Sequence, residues 1–193
     1  MSKLLPPDSI KKIVIYGPES VGKSTLAARL AAHYRTIWCP EFARGYLQVR
    51  NQLERRFEKG IVSIYSDIEQ IAIGQMSTED ALLPQANQIL FCDTDLLTSQ
   101  LYSLHYFGKC PDWMPAEVAR RRYDLHLLLH IDVPWIADGQ RDRPEQREEM
   151  FEWFKKGLIE SGRRYVEIRG SYEERFQQAV EAISTTDLLS FKK

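Results

Sequence analysis

A glycine-rich stretch of nine residues constrains this chain more than any other feature. Residues 17–25, Gly-Pro-Glu-Ser-Val-Gly-Lys-Ser-Thr, fit the pattern G-x-x-x-x-G-K-[ST] in full. A short β-branched, apolar run precedes the stretch at 12–16, and leucines and alanines at helical spacing follow it at 24–33. A strand, a glycine-rich turn and a helix in this order predict a phosphate-binding loop (P-loop) rather than an ordinary turn.

Each residue type in this loop has a physical reason to be there. Gly17 and Gly22 allow backbone N–H groups to wrap phosphates, and the following helix presents its positive end to them. Lys23 is expected to reach the β- and γ-phosphates, Ser24 to bind Mg²⁺, and Thr25 to lie near the α-phosphate. The residues predicted to bind ATP are Gly17, Glu19, Ser20, Gly22, Lys23, Ser24 and Thr25.

Strands and helices alternate along the rest of the chain. Further strands are predicted at 36–39, 89–92, 123–131 and 165–168. Helices are predicted at 41–60, 64–86, 96–107, 144–161 and 172–189, and a bend containing Pro and Trp follows Gly108. This alternation predicts an α/β fold, a P-loop NTPase with a five-stranded parallel sheet flanked by helices. We expect one domain over residues 1–193.

Charge and cysteine usage exclude several classes of protein. The chain has 26 Lys and Arg against 27 Asp and Glu, so no overall positive field gathers nucleic acid or an anionic membrane. The cysteines, Cys39, Cys92 and Cys110, are odd in number and form no Cys-x-x-Cys pair. We find no signal peptide and no apolar run of membrane-spanning length. A cytoplasmic protein without nucleic-acid or membrane partners is therefore expected.

A P-loop predicts nucleoside triphosphate binding but not the fate of the γ-phosphate. The sequence has no Asp-x-x-Gly and no Asn-Lys-x-Asp, which the switch and guanine-reading parts of a GTPase would need. It has no Leu-Ser-Gly-Gly-Gln stretch of the kind that marks transporter ATPases. These absences favour a compact phosphotransferase.

Carboxylates suited to phosphoryl transfer follow two predicted strands. Asp93 and Asp95 come directly after the third strand, at the edge of a parallel sheet where ligands bind, so one is expected to hold Mg²⁺ and the other substrate. A helix N-cap at Asp93 or Thr94 is the alternative for one of them. Glu41 is a candidate base for the acceptor hydroxyl and Arg44 a candidate phosphate contact, with a surface ion pair between them as the alternative.

A cationic, turn-forming segment at 138–143 follows the fourth strand, where a lid over the triphosphate is expected. Arg141 is the first candidate for a phosphate contact and a catalytic role, while Arg143 and Arg147 are secondary because such charged stretches often form solvated ion pairs.

Aromatic residues lie after the third strand, where an acceptor ring could stack. The candidates for this substrate site are Tyr102, Tyr106 and Trp113. Packing in the core is the alternative for aromatic side chains at helical spacing.

Five motifs together resemble one known family. They are Gly-Pro-Glu-Ser-x-Gly-Lys-Ser-Thr at 17–25, Pro-Glu-Phe-Ala-Arg at 40–44, Phe-Cys-Asp-Thr-Asp at 91–95, Asp-Val-Pro-Trp-x-x-Asp-Gly-x-Arg at 132–141 and Gly-x-Tyr-x-x-Arg at 170–175. Over about residues 12–183 the chain resembles the ribosylnicotinamide kinase domain of the bifunctional NAD-salvage protein NadR. The resemblance implies a nucleoside-kinase-like fold with a lid, and phosphorylation of nicotinamide riboside by ATP and Mg²⁺ to nicotinamide mononucleotide. It implies that the P-loop binds ATP, that Asp93 and Asp95 lie at the riboside and the metal, and that Arg141 lies in the lid.

The chain also departs from this family. Full-length members carry a nucleotidyltransferase domain with a His-x-Gly-His site and some a helix-turn-helix region, and neither pattern occurs here, so we expect the reaction to stop at the mononucleotide. The nicotinamide ring of the riboside is a permanent cation, which suits the acids and aromatic rings noted above. Two alternatives stay open, a kinase for another nucleoside or small metabolite and a non-catalytic module that senses ATP or NAD-related ligands.

Overall fold

The computed structural model describes residues 9–53, 63–135 and 146–186. The strands in these ranges are β1 (Lys11–Tyr16), β2 (Trp38–Cys39), β3 (Ile89–Asp93), β4 (Leu125–Leu129) and β5 (Tyr165–Ile168). The α-helices in the same ranges are α1 (Lys23–His33), α2 (Phe42–Leu53), α3 (Tyr65–Leu82), α4 (Leu96–Phe107), α5 (Met114–Arg120), α6 (Arg147–Glu160) and α7 (Tyr172–Thr185). A short 3₁₀ helix, Leu83–Gln85, continues α3.

The described strands form one parallel sheet in the order β2-β3-β1-β4-β5. This confirms the predicted five-stranded parallel sheet. β1 lies at the centre, and Ile15 of β1 stands opposite Asp93 at the end of β3. Because neighbouring parallel strands end at the same edge, the loop after β1 and the loop after β3 lie side by side.

Apolar side chains cover both faces of the sheet, since successive residues of a strand point to opposite sides. On one face Val14, Leu90 and Leu128 pack with the apolar sides of α3, α4, α5 and α6. On the other face Ile13, Phe91 and the remaining leucines of β4 pack with α1 and α7. Buried on both sides, the sheet is a rigid platform from which the loops at its carboxyl edge project.

Most predicted strands and helices are confirmed, and the differences lie where the sequence pattern is weak. The bounds of α4 and β5 match the prediction, whereas β2 has only two residues. Thr36 lies before this strand, with its backbone N–H bonded to the carbonyl of Ala31 in α1 (2.9 Å) and its hydroxyl to the carbonyl of Ile89 (2.7 Å).

A turn with Pro111 and Trp113 follows Gly108, as predicted, but the helix α5 that comes after it was not predicted. Pro115 lies in the first turn of this helix, where a proline is favourable because its missing N–H has no partner there in any case.

The predicted lid at 138–143, with Arg141 and Arg143, lies outside the described residues. Within the described ranges, no helix combines the length and the apolar character that a membrane span requires.

Candidate active site

The P-loop connects β1 to α1 through backbone conformations that favour glycine. Gly17 has φ 134° and Gly22, the N-cap of α1, has φ 83°. A Cβ atom at Gly17 would lie 2.9 Å from the carbonyl oxygen of Leu129, too close for any side chain. Ser20 also has a positive φ, 57°. These constraints explain why the predicted loop contains glycine at both of its key positions.

The side chain of Lys23 folds back over the loop. Its Nζ donates to the carbonyl oxygens of Gly17 (3.0 Å) and Pro18 (2.7 Å), and the residue is 9% exposed. The ammonium group therefore lies inside the P-loop, where a phosphate-binding cation is predicted.

Ser24 and Asp93 meet at the edge of the sheet. The hydroxyl of Ser24 donates to Oδ2 of Asp93 at 2.5 Å, and Asp93 is 1% exposed. The other oxygen, Oδ1, is buried and has no hydrogen-bond partner among the described residues. Burial and the nearby charge of Glu41 raise the pKa of Asp93 from 3.8 to about 6, while Lys23 and Ser24 act in the opposite direction.

This pair fits a magnesium ion. The described residues contain no cluster of three or more His, Cys, Asp or Glu that would hold a metal by itself. Mg²⁺ in phosphoryl-transfer sites is usually bound by one or two carboxylates together with waters and substrate phosphates. A buried carboxylate with an unpartnered oxygen, beside a hydroxyl and a P-loop, is a donor set of that kind. Ser24 and Asp93 are therefore the residues that would hold Mg²⁺.

Glu41 and Arg44 follow β2 at the same edge. Nε of Arg44 lies 3.8 Å from Oε2 of Glu41, so the ion pair considered as the alternative is present. Both residues also affect the pKa of Asp93, since the charge of Glu41 raises it and the charge of Arg44 lowers it. The structure thus places this pair close to the Ser24–Asp93 pair.

Asp95 occupies a different place from the predicted substrate site. It is completely buried, and its Oδ1 accepts hydrogen bonds from the backbone N (3.0 Å) and hydroxyl (3.1 Å) of Thr98. Its Oδ2 lies 3.1 Å from Nε2 of His126. Although burial opposes the charge, the contacts with His126 and Thr98 hold the pKa of Asp95 below its usual value. Asp95 therefore caps α4, a role that the sequence analysis gave to Asp93 or Thr94.

Between the two acids, Thr94 has a left-handed backbone conformation that sequence reasoning missed. Its φ is 73°, which is rare for a β-branched residue. Its backbone N–H donates to the carbonyl of Ile15 at 3.1 Å, and the buried Asp95 follows it. This bend ends β3 so that Asp93 turns toward Ser24 while Asp95 turns into the core.

A small cleft lies next to the P-loop. Its lining residues are Pro18, Glu19, Tyr102, Tyr106, Trp135, Arg147 and Met150. The rings of Tyr102 and Tyr106 are stacked, with centroids 5.9 Å apart. Two of the three predicted aromatic site residues therefore line a cleft that the P-loop itself helps to form.

Trp113 is not among the residues that line this cleft. Its Nε1 donates to Glu69 of α3 at 2.8 Å, and its ring packs against the core on that face of the sheet. Trp135, which the sequence analysis did not select, contributes the indole ring of the cleft. The sequence signal that could have identified Trp135 was its position in the motif at 132–141, which follows β4.

Two polar residues of the cleft, Tyr102 and Arg147, have buried atoms without a hydrogen-bond partner in the described part of the chain. The hydroxyl of Tyr102 is buried without a hydrogen bond, and so are Nε and Nη2 of Arg147. The guanidinium of Arg147 lies 5.7 Å from the ring centre of Trp135. Burial and the charge of Arg175 lower the pKa of Arg147. Buried polar atoms of this kind are expected to bond a ligand or water.

Comparisons with known proteins agree with this architecture. The chain is 32% identical over 183 residues to the trifunctional NAD biosynthesis/regulator protein NadR of Escherichia coli (strain K12), a match that covers 92% of this chain and 43% of that protein. The chain thus spans less than half the length of this relative. The crystal structure of a NadR protein in complex with NR has a TM-score of 0.78 at 24% identity, covering 97% of this chain and 54% of that one.

A thymidylate kinase from Candida albicans has the same fold, with a TM-score of 0.56 at 16% identity over 93% of both chains. The predicted resemblance to NadR and the predicted P-loop kinase fold are confirmed. Residues 12–175 match the family model described as an AAA domain. The chain therefore belongs to the AAA domain family and is homologous to part of NadR.

Proposed function

We propose that this chain is a nicotinamide riboside kinase, which transfers the γ-phosphoryl group of Mg-ATP to the riboside and gives nicotinamide mononucleotide. The observation that supports this most directly is an aromatic cleft adjoining the P-loop. Pro18 and Glu19 belong both to the loop and to the cleft wall, so a ring bound there lies next to the phosphates. Kinases need this proximity, because catalysis of phosphoryl transfer depends mainly on positioning and charge stabilisation.

The nucleotide side of the site consists of the P-loop and the metal pair. Lys23, inside the loop, would contact the β- and γ-phosphates, and Ser24 with Asp93 would hold Mg²⁺. When bound, the metal would neutralise negative charge on the phosphate oxygens. Gly17 and Gly22 let the backbone approach the phosphates closely.

The acceptor side suits a flat cation. The pyridinium ring of nicotinamide riboside carries a permanent positive charge, and aromatic faces attract such a cation. The cleft offers Tyr102, Tyr106 and Trp135, and the carboxylate of Glu19 opposes the positive charge of Arg147, which lines the same cleft. The hydroxyl of Tyr102, which has no partner in the ranges that the structure describes, would be available to bond a polar group of the acceptor.

Glu41 is our candidate for the group that accepts the proton of the acceptor hydroxyl. It lies close enough to Asp93 to raise the pKa of that carboxyl, and its own ion pair is with Arg44 at 3.8 Å. Asp93 is engaged with Ser24, which leaves the proton transfer to Glu41. Arg44 and Arg147 would add positive charge near the transferred group, and Arg141 is proposed for the same role from the lid.

The relatives support this assignment through their names. The curated homologue is a NAD biosynthesis/regulator protein, and the structural neighbour is a NadR protein in complex with NR. Their substrates are properties of those proteins, and the cleft described above is the reason to propose the same substrate here.

A competition among acceptors tests the proposal. The protein is incubated with Mg-ATP and nicotinamide riboside, adenosine, uridine and deoxynucleosides, first singly and then mixed, and kcat/KM is ranked for each. We expect nicotinamide riboside to rank first, because a neutral nucleoside lacks the cation that the rings and Glu19 attract. A higher rank for a neutral nucleoside would assign the kinase a different substrate. Nucleotide binding without turnover of any acceptor would favour the sensing module.

A further inference from the structure

Arg175 of α7 is a charged residue for which the proposed reaction has no role. It is 1% exposed, yet it makes bonds to three separate segments of the chain. Its Nε donates to the carbonyl of Gly170 (2.8 Å), its Nη1 to the carbonyl of Val21 (2.6 Å) and its Nη2 to the carbonyl of His130 (2.8 Å). Nη2 also pairs with the carboxylate of Asp132. One guanidinium group thus joins the P-loop, the end of β4 and the turn before α7.

The bond to Val21 fixes the orientation of a P-loop peptide group. The chain has no cis peptide bond among its described residues, so the Val21–Gly22 peptide is trans. In a trans peptide the C=O and the following N–H point in opposite directions. Because the carbonyl of Val21 points at Arg175, the N–H of Gly22 points away from the core.

Neighbouring side chains also pack closely around the same peptide. The ring of Tyr172 lies behind Gly22, where a Cβ atom would be 2.8 Å from Cε1 of the ring. Val21 itself is completely buried. The peptide therefore has little freedom to turn over while Arg175 holds its oxygen.

We propose that Arg175 is a positioning residue for phosphate binding, which holds the Val21 carbonyl so that the N–H of Gly22 is presented to nucleotide phosphates. This inference rests on the proposed binding of ATP. The charge of Arg175 is balanced by Asp132 and its other bonds go to three backbone carbonyls, so it acts through the backbone and not by touching phosphate.

Lysine cannot replace this function. Arg175 uses the planar, forked geometry of the guanidinium to bond several oxygens at once, whereas a lysine keeps the charge but offers a single ammonium group. Arg175→Lys is therefore the informative substitution, because it preserves the pairing with Asp132 and loses the defined hold on Val21.

Arg121→Lys is the matched control. Arg121 is also buried, at 8% exposure, and it bonds Glu79 (3.1 Å) and Asp80 (2.6 Å) far from the P-loop in the chain. Both variants lose a buried, multiply bonded guanidinium, and both are expected to unfold at lower temperature. Only the change at Arg175 should weaken nucleotide binding.

Titration calorimetry with Mg²⁺ and a non-hydrolysable ATP analogue distinguishes the two variants. We expect Arg175→Lys to bind at least about tenfold more weakly than the wild type, which corresponds to about 1.4 kcal/mol, with an unchanged KM for the acceptor. Arg121→Lys should bind as the wild type does. Equal binding by Arg175→Lys and the wild type would overturn the inference. A wild type that binds no nucleotide would overturn the proposed function itself.

A second measurement uses only the wild-type protein, in case Arg175→Lys does not fold. In protein labelled with ¹⁵N-glycine, the amide resonance of Gly22 is followed by NMR as the Mg-nucleotide is added. We expect a large shift of the Gly22 amide proton, because a charged acceptor then bonds it. Saturable nucleotide binding that leaves this proton unmoved would contradict the inference.

Discussion

The hydroxyl of Ser24 donates to Asp93 across 2.5 Å, joining the end of the P-loop motif to the end of the neighbouring strand. This contact exists because β1 and β3 are adjacent and parallel, with Ile15 opposite Asp93. It places a hydroxyl and a buried carboxylate beside the loop that is built for phosphates. The proposed function depends on this arrangement.

Removal of the Lys23 ammonium is expected to abolish phosphoryl transfer without unfolding the protein. Among the described residues Nζ of Lys23 bonds two loop carbonyls and no other group, so Lys23→Ala is expected to leave the sheet and its helices intact. We expect kcat/KM to fall at least about a hundredfold, as happens when one donor to a developing charge is lost. Product assays and circular dichroism measure the two effects. Lys156→Ala, which breaks an exposed pair with Glu160, should change neither, and equal losses in the two variants would remove Lys23 from the mechanism.

Asp93 is expected to reduce stability at neutral pH. Its folded-state pKa of about 6 exceeds the ordinary 3.8, so the folded chain binds this proton more tightly than the unfolded chain does. Stability from this group is therefore lost as pH rises through about 6, by an amount on the order of 3 kcal/mol. Asp93→Asn should raise the free energy of unfolding at pH 8 and change it little at pH 4, measured by urea unfolding. The same difference at both pH values would argue against the raised pKa.

The metal and base roles should separate in two conservative variants. Asp93→Asn is expected to raise the Mg²⁺ concentration needed for half-maximal rate, because the unpartnered Oδ1 would no longer carry a charge to the ion. Glu41→Gln should leave the Mg²⁺ dependence unchanged and lower kcat by about a hundredfold or more, as loss of a general base does. Steady-state rates over a Mg²⁺ series measure both. The reverse pattern would exchange the two assignments.

The Tyr102 hydroxyl is expected to contribute to acceptor binding and not to stability. It is buried without a partner among the described residues, so Tyr102→Phe leaves no group newly unpaired. The KM for nicotinamide riboside should rise about fivefold, as the loss of one hydrogen bond of about 1 kcal/mol implies, with an unchanged KM for ATP.

Tyr123→Phe is the control for this change. The hydroxyl of Tyr123 bonds the buried Glu79 at 2.9 Å, so its loss should lower the melting temperature and leave both KM values unaltered. A Tyr102→Phe variant that is destabilised, with an unchanged acceptor KM, would show that its hydroxyl serves the fold.

Local patterns were sufficient to predict the fold and the position of the P-loop between β1 and α1. The P-loop and the acids after β3 are contiguous in sequence, and the parallel arrangement brings their strands together. The cap of α4 was not predictable in this way, because it depends on the positive φ of Thr94, which turns Asp95 inward. No spacing rule indicates a left-handed threonine.

The cleft beside the P-loop could be found only from three-dimensional information. Similar sequence arguments apply to Trp113 and Trp135. In the structure, however, Trp113 bonds Glu69 on α3, whereas Trp135 lines the cleft beside the P-loop. Arg175 presents the same difficulty, because an arginine in an amphipathic helix is normally interpreted as a surface residue. Its burial is evident only when the P-loop, β4 and α7 are seen to meet.

Identification of the product tests the central claim most directly. Nicotinamide riboside and Mg-ATP are incubated with the wild-type protein and, in parallel, with Lys23→Ala, and the products are identified by mass spectrometry. We expect nicotinamide mononucleotide and ADP to accumulate in equal amounts with the wild type, and both to form at least about a hundredfold more slowly with the variant. ADP release without a new phosphate ester, or no turnover of the riboside at all, would contradict the assignment of this chain as a nicotinamide riboside kinase.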